Sequence, residues 1–536
     1  MTNVRGADLM IAMTTTFDPL TFIGKVRDPL HDTISFTAIE KQVIDTREFQ
    51  RMRRIQQTAF IKYVFPGATH TRFVHALGVM HMAGVLLNSL IANQQRILDA
   101  LTQSLSQLPL TVQKSHVMTE LHHGSLSATL DALGWLKRSE VAQVLRLAAL
   151  LHDVGHAPFS HSLERFMPTW RELEQSLGSL SLPDYLFQAL SAKIERQKAK
   201  SLHAMDTRVR HEIYTLMIVA RIFSGQDELL PACLGQDVCA VLDLDVSACA
   251  GGVLVQSGLQ TLLHEVVSGE IDVDRMDYLL RDSRECGVVY GLFDAGRILD
   301  SACFYKDPAT SHFHLAIRRS GVAAFEDYLR ARWSMYQQVY FHKTATACEA
   351  MLEAAHKHLN RFSLPLHLED FLRLDDSSFF AFAQSQSQAS NNRGIVLLDD
   401  LLYGRKLWKR VYEESIPSDQ LKAAPSLCPA TISFLRAQGF SSEMIESSTS
   451  LTRFSPKGRE KKSRNTLKVV VKDVHGLRYL EPIEAHSKLV NRLDEEIVIR
   501  RIFVGREDES GQPVDPKLVQ QRVSAEVVSP RFEPEI

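Results

Sequence analysis

Four residues of this 536-residue chain combine types and spacing that could hold a metal ion: His75 in TRFVHALGV, the adjacent His152 and Asp153 in LLHDVGHAPFSH, and Asp274 in IDVDRMDYLLRD. Imidazole nitrogens together with carboxylate oxygens suit a borderline or hard divalent cation in octahedral geometry, with positions left for water and phosphate. No thiolate belongs to the set, which argues against a structural cysteine-type zinc site. Each member also has a plainer explanation. A histidine on an apolar helix face is commonly a hydrogen-bonded core residue, and an aspartate in the first turn of a helix complements its dipole. Together these explanations weaken, because a carboxylate buried beside His152 must be paired or metal-bound. Arg72 stands three residues before His75 on the same helical face, where a guanidinium could clamp phosphate beside such an ion.

The elements that would carry these residues read as mostly helical from Gly24 onward. Val141, Val144, Leu145, Ala148, Ala149 and His152 repeat at the 3.6-residue period and predict an amphipathic helix ending near Gly155 and Pro158. A helix end would let His152 and Asp153 turn toward one ion although they are neighbours in sequence. Residues 1–22 are Thr-rich and aperiodic, the expectation for a flexible tail, and residues 23–415 read as the helical core. Within that core, Leu101 to Ser127 is rich in Ser, Gln, Thr and His and reads as a surface insertion, and 384–392 (QSQSQASNN) as a polar loop. Beyond about Lys409 the β-branched stretches LKVVVKDV and EEIVIRRIFV predict strands, giving a smaller C-terminal α+β lobe over 416–536. The expected fold class is therefore mainly α with an α+β appendage.

Composition narrows the function classes. The formal net charge of −2 and pI near 6.9 give no global basic excess for nucleic acid, and the basic run 457–464 (KGREKKSR) is the one local argument for such a partner. Such runs are usually solvated loops. The seven cysteines are scattered without a C-x-x-C pair, which fits reduced thiols in a cytosol. There is neither a signal-type leader nor a run of about 18 apolar residues, so a soluble, cytoplasmic protein without a membrane partner is expected.

The order H…HD…D, with the flanking blocks GKVRDPLHDTI, VIDTREFQRMRRIQQ and YVFPGATHTRFVHALGV, resembles the HD-domain dNTP triphosphohydrolases, both the vertebrate branch and its bacterial dGTPase-like relatives. The resemblance spans roughly residues 24 to 415. It implies an HD-type helical phosphohydrolase core and hydrolysis of dNTPs to deoxynucleoside and inorganic triphosphate. It makes His75, His152, Asp153 and Asp274 ligands of a divalent metal (Mn, Fe, Zn or Ni), with Mg accompanying the nucleotide. It further implies His161 as general acid, with His156, His211, Glu164 and Glu212 tuning or relaying protons. Arg72 and Arg332 would contact phosphates, Gln57, Tyr278 and Asp282 the sugar, and Tyr340 would wall off a 2′-hydroxyl. Departures from the pattern fall at Thr58, Tyr336 and Phe341, the last two near the expected base, where an aromatic can stack on any base. Asp45, Gln50 and Arg53 match an activator site for GTP or a dNTP between subunits, with Gly24 in the place of its lysine and Lys25 next to it, implying a homo-oligomer; Asp45 could equally be a helix N-cap. Family members serve dNTP balance or antiviral and antiphage dNTP depletion. Two other readings stay open: an HD phosphodiesterase acting on a cyclic nucleotide, alarmone or nucleic-acid end, and a non-catalytic nucleotide sensor.

Overall fold

A computed structural model describes residues 20–106, 138–224, 230, 232–246, 257–307, 309–387, 392–417, 426–449, 467–472, 478–492, 497–508 and 510–528. The N-terminal tail up to residue 19, most of the 101–127 insertion and the basic run 457–464 lie outside the described residues.

The chain is mainly helical, and it opens on an antiparallel hairpin, β1 (Phe22–Asp28) and β2 (Asp32–Thr37). Helix α1 (Ala38–Asp45) starts at a capping box: Thr37 Oγ1 accepts from the Glu40 amide at 3.2 Å, and Glu40 Oε2 accepts from the Thr37 amide at 2.9 Å. The long α2 (Arg72–Ser106) packs along α3 (Arg138–Leu151). Helix α3 differs from the one-sided stripe its apolar residues predict. Gln143 and Arg146 are buried as well, and both bond to Glu40, with Arg146 Nε 2.7 Å from Glu40 Oε1. A carboxylate from α1 thus satisfies polar groups that periodicity assigns to solvent. The segment Arg72–Ile97 is long and apolar enough to cross a membrane, with mean hydropathy 1.6, yet 61% of that window is buried against the rest of the fold.

Helices α4 (Asp184–Lys200), α5 (His211–Ile222), α6 (Ala232–Leu242), α7 (Leu259–Ser268) and α8 (Val273–Cys286) complete the body around the two central helices. After β3 (Ala302–Lys306) and β4 (Phe313–Arg318), helix α9 (Val322–Met335) runs into one π turn, Tyr336–Tyr340, before α10 (Lys343–His358). The C-terminal α+β lobe contains a sheet in which β5 (Lys409–Pro417) and β6 (Ser442–Thr449) flank β9 (Ile497–Val504). It has a small core of its own, including Val411, Leu435, Ile502 and Val519. Strands β7 (Lys468–Lys472) and β8 (Arg478–Pro482) leave that lobe and extend the β3–β4 hairpin, β7 lying parallel to β4. Val469 and Val471 of KVVVK insert into the main core, which draws the strand there.

Candidate metal centre and catalytic cavity

His75 lies on the first turn of α2, His152 and Asp153 in the turn that follows the end of α3 at Leu151, and Asp274 in the first turn of α8, which Asp272 caps by accepting from the Arg275 amide. The structure brings all four together. His75 Nε2 is 3.0 Å from Asp274 Oδ1 and 3.7 Å from Asp153 Oδ2, while His152 Nε2 is 3.4 Å from both Asp153 Oδ1 and Asp274 Oδ1. The apolar burial of α3 and α2 delivers the histidines, and the abrupt end of α3 lets adjacent side chains converge.

The tautomers follow from the acceptors. Ala149 O is a carbonyl, so His152 Nδ1 donates to it at 2.8 Å; the other nitrogen, Nε2, is buried without a hydrogen-bond partner among the described residues. His75 Nδ1 donates to the Asp277 carboxylate at 2.8 Å, which likewise turns Nε2 toward Asp153 and Asp274. Two imidazole lone pairs facing two carboxylates form a donor set that fits a divalent cation. Although burial works against it, Asp274 and Asp277 push the His75 pKa up to about 10, which shows how strongly the carboxylates here favour a positive charge. Burial favours neutral Asp274, yet the imidazoles of His152 and His75 hold it below the usual carboxylate range.

A cavity of about 220 Å³ opens above this cluster. Of the residues singled out in the sequence, Gln57, Arg72, His152, Asp153, His156, His161, His211, Glu212, Asp274 and Tyr278 line it; His75 is fully buried behind them. Arg72 is committed to this floor: it pairs with Asp153, and its Nε donates to Ser160 Oγ at 2.7 Å. His156, His161 and His211 form a second cluster beside the first. The His156 ring stacks on His211 at 3.6 Å between centroids, and His156 Nε2 lies 3.2 Å from Asp153 Oδ1. Glu164 Oε1 accepts from His161 Nδ1 at 2.9 Å and from His211 Nδ1 at 3.3 Å, and Glu212 Oε2 lies 3.6 Å from His211 Nδ1. These surroundings split the histidines. Burial, Arg72 and His211 hold His156 well below its ordinary pKa and therefore neutral, whereas His211, against its burial, is raised by Glu212, Glu164 and Asp153.

Asp282 accepts from His70 Nε2 at 2.7 Å and from the Tyr340 hydroxyl at 2.7 Å, and the Tyr340 ring lies 6.2 Å from Tyr278. Tyr340 ends the π turn, a departure from α geometry that is frequent at functional sites. Arg332 is buried beneath Tyr336, 5.5 Å from its ring, and Phe341 contacts the same tyrosine; neither lines the cavity. Lys25, Asp45, Gln50 and Arg53 sit away from the cavity, on β1 and around the end of α1. Asp45 is not the N-cap: Thr46 caps the next short helix, accepting from the Phe49 amide at 3.3 Å, and Asp45 pairs with Lys41.

Several contributors escaped the sequence reading. Asp277 is fully buried and accepts from His75, from His31 Nε2 at 2.6 Å and from Arg281 Nε at 2.8 Å, and Arg281 in turn pairs with Asp28 at 2.9 Å. The available signal was its place three residues after Asp274 and four before Arg281. Thr215, Leu216, Leu242, Asp243 and Ser268 line the cavity without any motif to mark them.

An HD domain matches residues 119–222, and an HD-associated region matches residues 293–426. The chain thus carries one segment that matches the HD domain and, further on, one that matches an HD-associated region. His75 and Asp274 fall outside the matched HD span, so the cluster draws on sequence from both sides of it. An uncharacterized protein of Methanocaldococcus jannaschii is 26% identical over 67% of this chain and 54% of its own length, and the uncharacterized protein YwfO of Bacillus subtilis is 25% identical over 74% and 73%. The deoxynucleoside triphosphate triphosphohydrolase SAMHD1 of Homo sapiens is 25% identical over 62% of this chain and 44% of its own length. The match thus spans about half of the archaeal relative and less than half of the human one. A hypothetical protein of Aquifex aeolicus shares the fold at a TM-score of 0.52 and 23% identity, covering 90% of this chain and 97% of its own. A phosphohydrolase of Bacteroides thetaiotaomicron does so at 0.53 and 21%, covering 90% and 100%.

Proposed function

We propose that the protein hydrolyses deoxynucleoside triphosphates to deoxynucleoside and inorganic triphosphate. The observation that carries this reading is the cluster of His75, His152 and Asp153, joined by the partly exposed Asp274, at the floor of a cavity bordered by three histidines. A divalent ion (Mn, Fe, Zn or Ni) held there would act as a Lewis acid on a phosphoryl oxygen, with Mg accompanying the nucleotide. The bond broken lies between the α-phosphorus and the 5′-oxygen; a water oxygen replaces the latter, which leaves with a proton. His161, its Nδ1 backed by Glu164, supplies that proton. His211, whose pKa Glu212 and Glu164 raise against its burial, faces the phosphates with Arg72, neutral His156 relays between Asp153 and the leaving group, and Arg332, buried outside the cavity lining, is assigned the distal phosphate on the resemblance alone. Gln57, Tyr278 and Asp282 hold the sugar, and the Tyr340 ring, fixed by its bond to Asp282, excludes a 2′-hydroxyl.

The same proposal extends to regulation. Asp45 is 58% exposed and Gln50 Oε1 accepts from Arg53 Nε at 2.8 Å, so with Lys25 they offer carboxylate, amide and cations to a GTP or dNTP activator joining copies into a homo-oligomer. Such an enzyme would act in the cytoplasm, in dNTP balance or antiviral depletion of dNTPs. Incubation with each dNTP and NTP plus Mn²⁺ or Mg²⁺, followed by separation of the products, tests the reaction. Triphosphate with deoxynucleoside is expected; pyrophosphate with nucleotide monophosphate, or no turnover of any triphosphate, overturns it in favour of another phosphoester or a sensor. Asp153→Ala and His152→Ala should each lose bound metal and turnover together.

A further inference from the structure

Between His156 and His161 the backbone makes a costly turn. Phe159 and Ser160, neither of them glycine, stand consecutively in the left-handed region at φ 53° and 55°. Left-handed backbone crowds the Cβ of any residue other than glycine, so its surroundings must hold the turn. They do so from a distant part of the chain. The Asp376 carboxylate accepts from the Phe159 amide at 2.7 Å through Oδ1 and from the Gln56 amide at 3.0 Å through Oδ2. Ser160 Oγ donates to Gln56 O at 2.7 Å, closing a ring between the two segments, and accepts from Arg72 Nε. On the other side of the turn, Arg51 Nη1 donates to His156 O at 2.9 Å while its Nε donates to Leu374 O at 2.7 Å. Phe379 meets the Phe159 ring edge-on at 6.0 Å. Residues 374–379, inside the HD-associated region, therefore grip both ends of the turn without lining the cavity.

We infer that Asp376 is a positioning residue: its carboxylate holds the Phe159–Ser160 turn in its left-handed form and so sets where His156 and His161 stand relative to Asp153. This rests on the proposed phosphohydrolase reading of that site, and gives the HD-associated region a defined task in it. None of the four metal-cluster residues bonds to Asp376 directly; they sit on α2, α8 and the end of α3.

Asp376→Asn keeps the shape but turns one acceptor into a donor facing a backbone amide. The expected result is kcat per bound metal lowered about 10–100-fold, as for lost alignment of a proton donor, with KM within about threefold and Mn²⁺ stoichiometry unchanged. Hydrogen exchange, which needs no turnover, should rise at least tenfold in peptides covering 157–163 and stay unchanged in α3. Phe379→Leu, which trims the buried ring but keeps the site apolar and leaves the Asp376 carboxylate in place, should shift both readouts the same way by a smaller factor. Normal kcat per bound metal in Asp376→Asn would reduce Asp376 to a fold-stabilising contact, and metal lost in step with activity would place its effect on the ligands; either overturns the inference. Raised exchange in a protein whose wild type releases no triphosphate would leave the turn clamp standing and remove only the assigned reaction.

Discussion

Replacing Asp277 with Asn tests whether the metal cluster depends on a carboxylate that would touch no ligand other than His75. The wild-type carboxylate accepts from four nitrogens: His75 Nδ1 at 2.8 Å, His31 Nε2 at 2.6 Å, and Arg281 Nε and Nη2 at 2.8 and 2.9 Å. Asparagine retains one acceptor oxygen and presents an NH₂ group to donors. Breaking a buried ion pair typically costs ~3–5 kcal/mol; Arg281 keeps Asp28 as a partner, so the lower end, ~3 kcal/mol, is expected for metal-free Asp277→Asn. The consequence for metal is separate. An amide donor opposite Nδ1 favours the His75 tautomer that carries its proton on Nε2, where the lone pair must face the ion. Loss of such an outer partner usually lowers metal affinity about 10–100-fold. Competition with a chromophoric chelator for Mn²⁺ reads the affinity, and urea denaturation of the metal-free protein reads the stability. Gly78→Ala, whose added Cβ would collide with Asp277 Oδ1 from α2, should weaken metal binding in the same sense. Metal affinity within twofold of wild type in Asp277→Asn would refute the reasoning.

Gly155→Ala would drive a Cβ into the Thr215 amide and the His211 carbonyl, pushing α5 off the turn; loss of activity exceeding 10²-fold is expected with the Asp153 cluster still binding Mn²⁺, and a fully active variant would show that His211 needs no such approach. Tyr340→Ala should raise the ratio of ATP to dATP hydrolysis at least tenfold, a steric wall being worth about 1–3 kcal/mol; an unchanged ratio in a competition assay would remove Tyr340 from sugar selection. Glu270 offers a pH test away from the cavity. Burial, which outweighs the bond accepted from the Leu467 amide, raises its pKa to about 7, so the folded state binds the extra proton between about pH 4.5 and 7, and stability present below that window is lost as pH rises through it. In Glu270→Gln the loss of stability between pH 5 and pH 8 should shrink by ~1–3 kcal/mol, and parallel pH dependences in denaturation of the two proteins would contradict it.

What was legible in the sequence was what lies within a few residues of a helix end. The HD pair sits where apolar periodicity stops in a turn that Gly155 closes, and Asp274 sits two residues after an N-cap aspartate; both are local patterns that survive without knowledge of the fold. The two N-terminal strands and the β3–β4 hairpin were not separable from their helical neighbours, because short strands carry too few residues for the two-residue period to show. Strands β7 and β9 read as strands, β8 did not, and the partner of β7 was not legible: KVVVK would suit either sheet, and only the room beside β4 decides.

Carboxylates mark the same boundary more sharply. Glu40, Asp277 and Asp376 each look ordinary in sequence: a capping-box acid, an i+3 helical acid, and one of an Asp-Asp pair ahead of two serines. The bland reading even holds for its neighbour, since Asp375 accepts from the Ser377 and Ser378 amides at 3.0 Å. Yet each of the three is the acceptor for donors that arrive from elsewhere in the chain: Arg146 on Glu40, His31 and His75 on Asp277, and the Phe159 amide on Asp376. A buried donor must be satisfied, but the donor's own segment does not say by what. Side chains with the chemistry and spacing to hold a metal stand out in the sequence, whereas those that hold them in place are chosen by which unsatisfied group the fold happens to bring near, and that information exists only once the helices are packed.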